Sequence, residues 1–282
     1  MIERLRESVQ IHMRSDVPVG MLLSGGLDSG LLAALAAEQT ETPINTFTVR
    51  FAETQNDESP LAFEVAKRYG ANHQVIEVSS ADVDCLLPHL AWHLDQPLFD
   101  AAALPNFLIQ RQLGKYVKVA LNGTGGDEIF AGYGRYFPLN IEKNYLCLPQ
   151  GLRKPIERIV EGFSPMTAFR LRRAEKFFSE PGTYLFEHTG HFPEPMRSLI
   201  GNKMSLGYVA QQEVYEGTSG PHQTRLLKTD LQTYLVDDLM TMIDRTSMAV
   251  GVEGRVPFLD HPLIAVALAV PPELRTEGGQ QK

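Results

Sequence analysis

Apolar positions in the first 135 residues alternate between two periods. Val19 to Leu23 is a short apolar run that stops at Ser24-Gly25-Gly26, the pattern of a buried strand. The next stretch, Leu31 to Glu38, is rich in Leu and Ala and predicts a helix over 29–38 that begins at Ser29. Ile44 to Phe51 is β-branched and aromatic, a second strand; Ser59 to Tyr69 carries Leu61, Val65 and Tyr69 at helical spacing. Val75 to Val78 predicts a third strand. An amphipathic stretch comes next at Val83–Leu94, then a helix around Leu104–Leu113, and Val117 to Leu121 is a fourth strand ending in Asn122-Gly123. Strands alternating with helices imply right-handed βαβ units, hence a parallel sheet with helices on both faces. The expected class is α/β, a Rossmann-like sheet of about five strands. From residue 135 to 250 no strand pattern recurs, and Pro149, Pro155, Pro165, Pro181, Pro193, Pro195 and Pro221 punctuate helical pieces. We therefore divide the chain into an α/β nucleotide-binding core at 1–134 and a helical part at 135–282.

Composition narrows the function. A chain of 282 residues can bury a large core without staples. Its two cysteines, Cys85 and Cys147, are too few for a disulfide framework or a four-cysteine zinc site, so the expected compartment is cytoplasmic. No apolar run reaches the length of a membrane span, and the charged start Glu3-Arg4-Leu5-Arg6-Glu7 has no signal-peptide core. The net charge of −8 argues against a nucleic-acid partner. Basic residues gather between Lys143 and Lys176, but interleaved glutamates make that stretch a solvated helical face.

Two loops carry candidate chemistry, each after a buried-type strand. In Ser24-Gly25-Gly26-Leu27-Asp28-Ser29 the paired glycines let the backbone approach a ligand, and the helix after them points its positive end at the same spot. The hydroxyls of Ser24 and Ser29 add donors, so a phosphate or pyrophosphate is the natural occupant. No Gly-x4-Gly-Lys-Ser/Thr is present. Gly123-Thr124-Gly125-Gly126-Asp127-Glu128 begins like a dinucleotide fingerprint but has Glu128 where its last glycine belongs. Both loops leave the carboxyl ends of parallel strands, where ligands bind at a change in strand order. Asp28 and Asp127 can therefore converge on one cation, and oxygen ligands shared with phosphates suit Mg²⁺. By itself, Asp127 reads equally as a helix N-cap.

Ser24 to Ser29 resembles the PP-loop of ATP pyrophosphatases, an adenine nucleotide alpha hydrolase-like fold. Three further stretches resemble the synthetase half of the asparagine synthetase B family. They are Asp57-Glu58-Ser59-Pro60, Gly125 to Tyr133, and Asp244-Arg245-Thr246-Ser247-Met248 continuing into Val252 to Asp260. The likeness runs from about Leu5 to Lys282 with the motifs in order. It implies a ligase in which a carboxylate, such as the aspartate side chain, attacks the α-phosphorus of ATP, pyrophosphate leaves, and ammonia converts the adenylate to an amide. By the same resemblance Leu23, Val49, Asn122 and Gly123 line an adenosine pocket. Ser24, Gly25, Gly26, Asp28 and Ser29 cradle the phosphates, and Asp28 and Asp127 hold magnesium. Tyr133 falls where related amide-forming and ring-closing enzymes have an active-site tyrosine, and its plain alternative is an aromatic core residue. Lys282 falls near the spacing of a phosphate-neutralising lysine, and as a terminal residue it also reads as a frayed end. Arg255 either steadies a carboxylate or phosphate, or pairs with Asp260 or Glu253.

The chain departs from that family in three places. Ile2 stands where full-length members carry a glutaminase-domain cysteine, so this chain alone is not expected to hydrolyse glutamine, and a glutaminase subunit or domain is an expected partner. The helices that come after the lysine are missing, so exposed apolar surface and a partner, such as a second copy, are expected. Thr124 replaces an acid that handles the adenylate and the amine, and a hydroxyl cannot serve as a carboxylate base. Thr124 therefore opens a second reading, a cyclase or amidotransferase acting on another carboxylate. A third is a non-catalytic ATP-binding remnant. His89 and His93, four residues apart, are expected to be ordinary surface, as are His188 and His191. Trp92, Met240, Met242 and Met248 are expected in the core.

Overall fold

The computed structural model describes residues 1–51, 57–78, 83–98, 100–137, 140–189 and 206–275. Its chain separates into two compact units. Residues 1–129 and 236–269 form the first; residues 130–235 and 270–282 form the second.

The first unit is built on β1 (Val19–Leu22), β2 (Asn45–Phe51), β3 (Asn72–Val78), β4 (Val119–Leu121) and β5 (Glu253–Arg255). All neighbours pair in parallel, in the order β3-β2-β1-β4-β5. The α/β parallel sheet expected from the alternation of periods is thus present. Register aligns Met21 with Thr46 on one side and Leu121 on the other. Chain order reverses between β1 and β4, which makes their carboxyl ends the switch point of the sheet.

Right-handed crossovers put successive connecting helices on one face until the chain switches sides. On one face α4 (Val83–Leu94), α5 (Ala103–Leu113) and α13 (Thr241–Met248) cover a core of Phe47, Ile76, Leu90, Phe107, Leu113 and Met242. The other side holds α1 (Ile2–His12), α2 (Leu27–Ala37), α3 (Ser59–Arg68) and α14 (His261–Ala269), which bury Leu5, Val9, Leu32, Ala62 and Leu263. In α4 the buried Leu86, Leu90 and Leu94 repeat every four residues. Trp92 therefore points away from them and is 81% exposed, not a core residue. Of the methionines, Met242 is buried while Met248 is exposed.

Strand β5 explains the Val252–Asp260 motif. It adds a fifth strand beside β4, and Phe258 beyond it is fully buried. Ser8 of α1 donates to the Pro257 carbonyl at 2.6 Å. Arg255 donates Nη1 to the His12 and Arg14 carbonyls, both at 2.7 Å, and Nε to Glu253 at 2.7 Å. A cation on the carbonyls that end α1 is favourable placement. Of the two readings of Arg255 the ion pair is present, with a helix-capping role added.

The second unit is helical: α7 (Asn140–Leu146), α8 (Gln150–Phe163), α9 (Pro165–Ser179), α10 (Pro181–Thr189), α11 (Leu206–Gly217), α12 (His222–Gln232) and the short α15 (Pro272–Arg275). Pro165 and Pro181 occupy first helical positions, where proline's missing N–H costs nothing. Rings of Phe177, Tyr184 and His222 meet edge-on where α9, α10 and α12 pack. The basic stretch is indeed laced with carboxylates. Arg172 bridges Glu157 and Glu161, Lys176 pairs with Glu187 at 2.7 Å, and Arg153 caps the carbonyls of Leu146 and Leu148. Helix α8 thus turns its glutamates toward α9 and leaves Leu152, Ile159 and Phe163 exposed.

Candidate active site at the switch point

The loop after β1 is shaped by its glycines. Gly25 has φ +77°, and a Cβ there would lie 2.8 Å from Leu61 Cβ and 2.9 Å from the Ala62 nitrogen in the first turn of α3. Only glycine meets both demands. Gly26 is different: extended, at φ −71° and ψ 165°, it precedes α2, and an added Cβ would meet only the Ser24 hydroxyl. Helix α2 begins at Leu27, two residues earlier than its Leu/Ala run suggests, so Asp28 sits in the first turn. The first amides of that helix have no intrahelical acceptor and gather positive potential at the loop.

The two serine hydroxyls are engaged within the loop. Ser24 Oγ and Ser29 Oγ share a 3.0 Å hydrogen bond, Ser29 Oγ accepts the Ser24 N–H at 3.2 Å, and Ser24 Oγ accepts the Gly26 N–H at 3.3 Å. They stiffen the bend. Leu23 turns its side chain into the core at 1% exposure. Its N–H donates to the Phe47 carbonyl, and its own carbonyl accepts the Thr48 hydroxyl. What Leu23 offers at the sheet edge is main chain. Val49 is half-buried near the end of β2, paired with Ile76.

The loop after β4 lies directly against the first. Gly123 approaches the start of α2, its missing Cβ 3.4 Å from the Ser29 nitrogen and 3.6 Å from Asp28 Cβ. A Cβ on Gly126 would lie 2.7 Å from both Cγ and Oδ2 of Asp28, so the Asp28 carboxyl is seated on the backbone one residue before Asp127. Gly125, at φ +100°, accommodates Leu259, whose Cδ2 would be 2.5 Å from an added Cβ. Asn122 organises the bend. Its N–H donates to the Arg255 carbonyl at 2.8 Å, and its Oδ1 accepts the Thr124 N–H at 3.1 Å and the Thr124 hydroxyl at 3.0 Å. Asp127 falls inside the first turn of α6 (Gly126–Phe130) and not at its N-cap.

One carboxyl, that of Asp28, is placed by the two loops against the backbone next to Asp127. A carboxylate beside an anion-binding helix end would repel a phosphate unless a cation lay between them. Among the described residues no three His, Cys, Asp or Glu side chains cluster into a complete metal site. An ion at Asp28 and Asp127 would take its other ligands from phosphate oxygens and water, the habit of magnesium.

Other expected residues fall elsewhere. Asp57 accepts both the N–H and the hydroxyl of Ser59, which start α3; that hydroxyl, then the amide, holds the Asp57 carboxyl below the usual range. Tyr133 belongs to the second unit, where it is half-buried. Lys282 and His191 lie outside the described residues. His89 is exposed, as expected, but His188 is not ordinary surface. Burial, with Arg173 and Arg135 nearby, pushes its imidazole down to about 3. Sequence reading also missed the packing of Leu61 and Ala62 on Gly25 and of Leu259 on Gly125, because neither contact has a local signal.

The asparagine synthase family pattern matches residues 1–282. The chain is 31% identical to an asparagine synthetase (glutamine-hydrolysing) of Bacillus subtilis, over 99% of this chain and 45% of that protein. It is 34% identical to a putative asparagine synthetase (glutamine-hydrolysing) of Mycobacterium tuberculosis, over 95% of this chain and 41% of that protein. It therefore spans less than half the length of these curated relatives. A solved NH3-dependent NAD synthetase from Campylobacter jejuni aligns with 78% of this chain and 96% of its own at 16% identity. The TM-score of 0.31 is too low to carry an argument. With the family pattern matched end to end and identities above 30%, this chain belongs to the asparagine synthase family.

Proposed function

We propose that this chain is an ATP-dependent ligase that activates a carboxylate as its adenylate, with release of pyrophosphate, and passes it to ammonia; the aspartate side chain is the first substrate to try. One observation carries the reading: the Asp28 carboxyl, at the positive end of α2, rests on Gly126 beside Asp127. In this reading Gly26 and the first turn of α2 take phosphate oxygens, and the main chain at Leu23 and Gly123, with Val49 and Asn122, borders the adenosine. Asp28 and Asp127 hold magnesium, whose charge, when bound, offsets that on the phosphate oxygens. Fixed amides aimed at those oxygens stabilise charge where it develops, without reorganisation in the reaction. Tyr133 and Lys282 enter by resemblance alone, as residues near the reacting carboxylate and phosphate.

A second reading rests on Thr124. Its hydroxyl donates to Asn122 Oδ1, and no carboxylate stands at that position to act on an incoming amine. Adenylation would then outlast amide formation, or serve another acceptor. Incubation with ATP, Mg²⁺, aspartate and ammonium tests both. Equal AMP, pyrophosphate and asparagine support the first reading; AMP and pyrophosphate without asparagine support the second. Absence of all three products would sink the ligase assignment. Asp28→Asn should lower pyrophosphate release about a hundredfold.

A further inference from the structure

Helix α8 of the second unit turns an apolar stripe outward. Leu152, Ile156, Ile159 and Phe163 follow one another at steps of four, three and four residues, the spacing of a coiled-coil seam. No side chain of α8 is buried. Leu152 is 53% exposed, Ile159 63% and Phe163 89%, while Ile156 is half-buried. A Cβ added at Gly151 or Gly162 would meet nothing within 4 Å, so the helix is open beside both ends of the stripe. An exposed seam of this kind marks an interaction surface.

The helix is held by its other side. Arg172 of α9 donates Nη1 to Glu157 at 2.9 Å and to Glu161 at 3.1 Å. Arg153, at one edge of the stripe, is drawn away to the carbonyls of Leu146 and Leu148 at 2.6 and 2.9 Å. Pro155, Val160 and Gly162, which also border the stripe, are uncharged. Another helix laid on this seam would remove apolar area from water and strand no charge.

The stripe is symmetric about the midpoint between Glu157 and Arg158. With a second α8 laid antiparallel across a two-fold axis at that midpoint, Leu152 faces Phe163 of the second copy and Ile156 faces its Ile159. At the edges Arg153 meets the small Gly162, and Pro155 meets Val160. The polar side matches level by level, Lys154 with Glu161 and Arg158 with Glu157. A parallel copy would instead bring each charge level with itself. An anionic lipid surface fits less well, because Glu157 and Glu161 offset Lys154 and Arg158 and the chain's net charge is −8. We propose that α8 is a self-association surface on which a second copy of this chain docks antiparallel. One 14-residue helix from each copy gives an interface smaller than those of stable dimers, so the association is weak and rises with protein concentration.

Sedimentation equilibrium of the full chain over a series of concentrations tests this. The expected result is a reversible equilibrium between monomer and dimer. Ile159→Glu, at an exposed position, should raise the dissociation constant at least about tenfold and leave the melting temperature of the dilute chain unchanged. Leu152→Lys and Phe163→Glu should each weaken the dimer alone. An equimolar mixture of those two variants should regain it, because the introduced charges then face each other across the axis. A chain that stays monomeric up to its solubility limit, a dimer indifferent to Ile159→Glu, or a mixture no tighter than its components would each overturn the proposal. So would a monomer that sediments with phosphatidylserine vesicles and loses that binding in Ile159→Glu, which would give the stripe to a lipid surface.

Discussion

Adjacent glycines in the first loop have separable jobs. Gly25→Ala forces a side chain into φ +77° and onto the first turn of α3. It should cost about 1–3 kcal/mol in denaturant unfolding. Gly26→Ala meets only a movable hydroxyl and should leave stability within about 1 kcal/mol. If phosphate oxygens approach there, the same substitution should weaken ATP binding about tenfold by calorimetry. His188 gives a residue-scale pH effect. Its folded pKa, about 3, lies far below the ordinary value of 6.5, so the unfolded chain binds the extra proton. Stability should therefore fall as pH drops below 6.5, by about 1.4 kcal/mol per unit until pH nears 3. Thermal melts of His188→Leu between about pH 7 and 4 should show a shallower decline. The geometry of the two loops was largely legible at this scale, because paired glycines and a carboxylate in the first turn of a helix declare themselves locally.

Elements were legible where their pattern is periodic. Helix α4 and strand β2 lie within a residue or so of their predicted bounds, since period and propensity agree there. Strand β3 begins at Asn72, three residues before the apolar Val75–Val78, because pairing with β2 extends it through polar positions. Strand β5 has no strand pattern. Glu253, Gly254 and Arg255 are extended because β4 has an open edge and Leu259 and Phe258 anchor the turn beyond them. Arg255→Ala should lower stability by about 2 kcal/mol, through two charged hydrogen bonds to the end of α1, while KM for ATP stays unchanged. A loss of ATP affinity at full stability would return Arg255 to a ligand-binding role.

At the scale of the whole molecule, the sheet-bearing unit is discontinuous: residues 236–269 bring β5, α13 and α14 back to the first 129. A fragment ending at residue 235 loses the β4–β5 pairing, the acceptor of the Asn122 N–H and the cover over Gly125. It should neither unfold cooperatively nor bind ATP, as circular dichroism melts and calorimetry would read. Among the described residues no helix is long and apolar enough to cross a membrane.

The order of residues by itself determined the alternation of strand and helix, the two loops at the ends of β1 and β4, and through ordered motifs the family. These rest on spacing and composition within a few residues, which any reader of the chain can measure. Tertiary structure alone decided that the Asp28 carboxyl meets Gly126, that Arg255 caps α1, and that Arg135 finds Asp230 across ninety-five positions. Such pairs form only when packing closes long loops, and a local pattern holds no record of which distant partner the closure will supply.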